Sequence, residues 1–90
     1  MKIALLAHDK SDSLDLRMAT REAHVAYLKS SDVVEQAGPI LDDAGAMIGS
    51  LIILNVDDIA QAQAWAAADP YANAGLFQLV QLIPWNRVIG

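Results

Sequence analysis

The feature that most constrains this chain is the absence of a polar face on its strand-like segments. In Met47 to Val56, MIGSLIILNV, Ile48, Ile52, Leu54 and Val56 lie on one parity, while Met47, Leu51 and Ile53 lie on the other. Lys2 to His8, KIALLAH, sets Ile3, Leu5 and Ala7 against Ala4 and Leu6. Leu76 to Ile83, LFQLVQLI, sets Phe77, Leu79 and Ile83 against Leu76, Val80 and Leu82. Successive side chains of a strand point to opposite faces, so a sheet built from these segments is apolar on both sides. Something must cover each side.

Helical segments cover one. Leu14 to about Lys29 follows the polar cluster His8-Asp9-Lys10-Ser11-Asp12-Ser13, with Ser13 or Asp12 available as the cap and Asp15 near the N-terminus. Asp57-Asp58 opens a second helix, IAQAQAWAAA, which stops at Asp69-Pro70 because the residue before proline is driven out of helical geometry. Val33 to Ala37 reads as a further strand ended by a turn at Gly38-Pro39. Asp42-Asp43-Ala44-Gly45 is a second turn signal before the Met47 strand, and Gly49-Ser50 suggests a bulge. Pro70 to Gly75 reads as a turn.

The order is β-α-β-β-α-β, an α+β ferredoxin-like arrangement with a four-stranded antiparallel sheet and two helices on one face, forming one small domain over residues 1–90. The second apolar face then requires another sheet. A second copy of the chain is the simplest source, giving a homodimer joined through the sheet face.

Composition narrows the partners. The net charge of −5, with six scattered cations, argues against nucleic acid. No apolar run reaches the length of a membrane span, and the N-terminal segment lacks the long apolar core of a signal peptide, so a cytoplasmic protein is expected. There is no Cys, and two His, His8 and His24, do not make a closed zinc site; no metal or other cofactor is expected.

The chemistry concentrates on the first helix. Leu14, Met18, Val25 and Leu28 form its apolar stripe; Arg21 falls among them, and Arg17 and His24 lie on one flank. An arginine stays charged inside a protein, so a core-facing Arg21 needs an anion, either an internal carboxylate or a bound substrate. Imidazole changes charge near neutrality and suits general acid or base work, although a His satisfied by a backbone carbonyl is the plainer alternative. Asp69 is expected to cap the turn that Pro70 opens; if the helix ends face each other it also reaches His24 and fixes its tautomer. His8 reads as part of a solvated turn and Trp65 as core. Tyr71, Phe77 and Trp85 could line a pocket mouth or a dimer seam, and Gly38-Pro39 or Gly49-Ser50 could let a ligand approach the backbone.

The ordered set Asp9-Lys10, Arg17, Arg21-x-x-His24, Gly38-Pro39, Gly49-Ser50 and Ala62-x-x-Trp65-x-x-x-Asp69-Pro70-Tyr71-x-x-x-Gly75 resembles the YCII-related (YciI-like) family, over nearly the whole chain. Glu22 stands where that family often has a proline before the Ala-His, and the loop between the second and third strands is compact. The resemblance implies a dimeric α/β barrel of ferredoxin-like subunits. It also implies a His-Asp dyad, here His24 and Asp69, in a pocket near the dimer interface. One branch of the family resembles enzymes that eliminate chloride from a hydroxylated ring, and the fold is shared with muconolactone isomerases.

Three readings follow. In the first, His24 and Asp69 carry out elimination or isomerisation on a small anionic or hydroxylated metabolite, with Arg17, Arg21, Tyr71 and Ser50 holding it; this chemistry needs neither nucleophile nor metal. In the second, the same pocket binds a small anion without catalysis. In the third, the dimer is structural and the Arg-His stripe is an internal salt-bridge network.

Overall fold

A computed structural model describes residues 1–90. Strand β1 (Lys2–Asp9) leads into helix α1 (Leu14–Ser30), followed by β2 (Val34–Leu41), β3 (Met47–Asn55), α2 (Ile59–Ala67), the single-turn α3 (Pro70–Asn73) and β4 (Phe77–Trp85). The sheet runs β2-β3-β1-β4, antiparallel throughout, which is the ferredoxin-like arrangement expected from the element order. No helix is long and apolar enough to cross a membrane.

The helices cover one face. Ile3, Leu5 and Ala7 of β1 and Ile52 and Leu54 of β3 are fully or almost fully buried there, with Val56, Ala62 and Trp65. Each of the Ile, Leu and Val side chains contributes roughly 1.5–3 kcal/mol when removed from water. The other face carries Ala4 beside Ile53 and Ile83, Leu6 beside Leu51, and Leu79 opposite His8. Leu51, Leu79 and Ile83 remain substantially exposed. Both parities are therefore apolar in three dimensions, and one is uncovered.

Several local expectations are corrected. Gly38-Pro39 is not a turn: β2 runs through it to Leu41, with Pro39 opposite Ser50. β2 is an edge strand, where a proline without an N–H costs no ladder bond on its open side. The Pro70 to Gly75 turn contains α3, with Pro70 in its first turn. Phe77 packs with the helix-side core instead of sharing a face with Leu79 and Ile83, because the β1–β4 register shifts at His8/Asp9. Gly49 faces Ala7 so closely that a Cβ there would lie 2.4 Å from the Ala7 carbonyl oxygen; the irregularity of β2 falls beside it, between Ile40 and Leu41. Ser13 is the N-terminal residue before α1, but its hydroxyl bonds the Ser11 carbonyl and no helix N–H; the Asp58 carboxylate does cap α2 by accepting from Gln61 N.

Candidate active site

Helix α1 is turned about 80° from the orientation its apolar stripe suggests, taking 100° of rotation per residue. Its buried residues are Arg17 and His24, whereas Leu14 and Met18 are exposed. The rotation is fixed at the C-terminal end. The Tyr27 hydroxyl donates to the Trp65 carbonyl at 2.8 Å, Trp65 Nε1 donates to Ser31 Oγ at 2.9 Å, and the two rings pack 4.8 Å apart. Burying polar groups costs less when they have partners; both side chains find a carboxylate, and only Arg17 Nε is left without a hydrogen bond.

Arg17 Nη1 donates to both carboxylate oxygens of Asp9, at 2.9 and 3.1 Å, and Nη2 donates to Ser50 Oγ at 2.8 Å. Asp9 closes β1 and Ser50 sits in β3, so this pair ties the helix to two strands. The internal ion pair expected for Arg21 therefore belongs to Arg17. Arg21 is exposed and enters no ion pair, because the stripe on which it lies borders a cavity instead of the core.

His24 Nδ1 lies 2.8 Å from Asp69 Oδ1, with both side chains buried. An ionised carboxylate only accepts, so the proton between them sits on Nδ1, and in the neutral ring Nε2 keeps its lone pair. The proline explains how Asp69 arrives there. Held extended before Pro70, at φ −61° and ψ 130°, Asp69 turns its carboxylate inward; Oδ1 also accepts from Tyr71 N at 2.9 Å. The turn cap and the contact with His24 thus use one and the same oxygen.

Tyr71 completes the wall. Its ring stacks on His24 (centroids 3.9 Å apart, 15° between planes), meets Phe77 edge-on at 5.9 Å, and carries the Arg17 guanidinium 4.7 Å from its centroid. Burial pushes the Tyr71 phenol above the ordinary tyrosine value, outweighing the Arg17 and Arg21 cations, which draw it down. The phenol is therefore a proton donor at neutral pH.

A cavity of about 270 Å³ opens between α1 and the β2–β3 edge of the sheet. Arg17, Arg21, His24, Ser50 and Tyr71 all line it, so every substrate-binding candidate shares the cavity with His24, and Asp69 stands behind. Ala37-Gly38-Pro39 forms the opposite wall. His8 is exposed, beyond this cavity, 3.4 Å from Gln81, and Trp85 lies at the far end of β4 under Arg87. Two residues were not anticipated in these roles: Asp9 as the counter-ion of Arg17, and Lys29, which also lines the cavity. Lys29 was readable from spacing, since it lies eight residues beyond Arg21 on the same side of the helix.

Residues 1–86 match the YCII-related domain. The chain belongs to the YCII-related family. This YCII-related protein is 37% identical to Protein YciI of Escherichia coli O6:H1 over 98% of its own length and 99% of the relative's. It is 33% identical to a Haemophilus influenzae protein over the same shares. Among solved structures it is similar to a 5-chloro-2-hydroxyhydroquinone dehydrochlorinase from Burkholderia phenoliruptrix AC1100 in complex with 2,5-dihydroxybenzoquinone. That likeness has a TM-score of 0.87 and 27% identity, and covers 96% of this YCII-related chain and 94% of the other.

Proposed function

We propose that His24 moves a proton between a hydroxyl and a carbon of a small hydroxylated metabolite, driving elimination or isomerisation. The observation that carries this reading is the 2.8 Å contact of His24 Nδ1 with buried Asp69, which leaves Nε2 as the free nitrogen of a side chain lining the cavity. A neutral imidazole oriented by a carboxylate is a competent base, and its protonated form is the matching acid. The Ser50 hydroxyl accepts from Arg17, so its own hydrogen is free to donate, as is the Tyr71 phenol. Oxyanion character developing on a substrate oxygen would meet donors.

For a ring bearing two hydroxyls and a leaving group X, the steps balance without an oxidant. One hydroxyl proton is transferred through His24 to the carbon bearing X, and that hydroxyl becomes a ketone. Nε2 then removes the second hydroxyl proton while X leaves with the C–X electrons. The products are a quinone and HX. With no leaving group, the first step alone is an isomerisation. Likeness to the dehydrochlorinase supports this class. Chloride release from 5-chloro-2-hydroxyhydroquinone tests it: the wild type is expected to release chloride and His24→Gln to be slower by 10²–10⁴-fold, the usual contribution of a general base. Equal rates would contradict the role of His24.

The assembly proposed for this reaction is a homodimer joined through Ala4, Leu6, Leu51, Ile53, Leu79 and Ile83. The support is physical: these side chains share one sheet face with no helix over it, and only Gln81 stands between Leu79 and Ile83 on β4. Sedimentation at micromolar concentration is expected to give twice the chain mass for the wild type and a monomer for Leu51→Glu/Leu79→Glu. A monomeric wild type would refute the assembly.

A further inference from the structure

The charge around the cavity is out of keeping with the rest of the molecule. The chain carries a net −5, yet three of its six cations, Arg17, Arg21 and Lys29, line this one cavity, and no acidic side chain does. Asp9 neutralises Arg17. Arg21 and Lys29 are in no ion pair, and they also border the adjoining groove past Glu22 without pairing with it. Two positive charges are therefore left over at the rim of a site whose proton-transfer group lies deeper.

Their spacing suits one bound group. Eight residues separate them along α1, about 12 Å of axis at 1.5 Å per residue, with Val25 between them on the cavity wall. Both side chains are exposed and long enough to converge on an anion held over Val25. Beneath them the lining is apolar: Val25, Leu28, Pro39, Met47 and Ile52. A cavity of about 150 Å³ suffices for benzene, so one of about 270 Å³ holds a six-membered ring with its substituents.

We infer that the substrate is a hydroxylated ring that also bears a carboxylate, bound at the rim by Arg21 and Lys29 while a ring hydroxyl meets His24 at the base. This rests on the proton-transfer reading above and adds to it a second, permanently charged handle. The dehydrochlorinase complex holds a dihydroxybenzoquinone, without such a carboxylate. A carboxylate gives orientation: it fixes which ring edge faces Nε2, whereas a hydroxyl alone would allow several.

Hydroquinone and 2,5-dihydroxybenzoate differ only by the carboxylate and serve as probes. Titrating each calorimetrically at low salt into the wild type and into Arg21→Gln/Lys29→Gln, with the His24 ring signals followed by NMR, separates the terms. The wild type is expected to bind 2,5-dihydroxybenzoate at least tenfold more tightly than hydroquinone, both probes shifting the His24 signals. The double variant should bring the two affinities within twofold, the larger loss falling on 2,5-dihydroxybenzoate. Equal affinities in the wild type, a preference that survives in the double variant, or no binding of 2,5-dihydroxybenzoate at millimolar concentration would overturn the carboxylate handle. The proton-transfer reading would fall separately, only if His24→Gln left proton transfer intact.

Discussion

Asn in place of Asp69 is expected to lower turnover by about 10²–10⁴-fold while leaving the fold almost untouched. In the proposed proton transfer the carboxylate holds the proton on Nδ1 of His24 and stabilises the imidazolium formed when Nε2 takes a second proton. An amide has no charge to do the latter, although its oxygen, in the place of Oδ1, can still accept from both His24 Nδ1 and Tyr71 N. The capping bond to Tyr71 N survives in Asn, which is as good a cap as Asp. Asp69→Ala loses both roles and should add a stability cost of about 1 kcal/mol. Comparing kcat and thermal unfolding of the two variants separates the dyad from the cap; an Asn variant with wild-type kcat would show that Asp69 is only a cap.

Arg17→Leu is expected to cost roughly 3–5 kcal/mol, because it leaves the Asp9 carboxylate buried without its cation. That is a large share of the roughly 5–15 kcal/mol available to a small domain. It also frees Ser50 Oγ and removes the guanidinium from the Tyr71 ring. Arg17→Leu/Asp9→Leu should recover most of the loss, since replacing a buried pair with apolar groups is often neutral. Urea unfolding of the single and double variants checks this; a single variant within 1 kcal/mol of wild type would mean that water reaches Asp9 and the pair is not structural.

The architecture was legible because strand and helix patterns agreed with each other along the chain, and the two-sided apolarity of β1, β3 and β4 survives in three dimensions as one covered and one bare face. His24, Asp69, Arg17, Arg21, Ser50 and Tyr71 were all legible as candidates, and all of them except Asp69 line the cavity. What the one-dimensional pattern could not supply was the rotation of α1. A helical wheel assumes that the most apolar face is the buried one; here the buried face holds Arg17 and His24, whose partners Asp9 and Asp69 lie eight and 45 residues away. Pairing over such distances decides burial and leaves no local mark. The same limit exchanged the roles of Arg17 and Arg21. Edge-strand position likewise cannot be seen in Gly38-Pro39 itself, since a proline reads as a turn until the sheet order shows an edge strand, the place in a sheet that tolerates one.

The proposed proton transfer from oxygen to carbon at His24 can be tested directly, without a leaving group. In D₂O, ring C–H positions of benzene-1,2,4-triol exchange for deuterium only through such transfers, and the loss of their ¹H signals gives the rate. With the uncatalysed rate subtracted, the wild type is expected to exchange ring hydrogen at least a hundredfold faster than His24→Gln, the lower end of a general-base contribution. Equal exchange by the two proteins would contradict the assignment of His24 as the proton carrier.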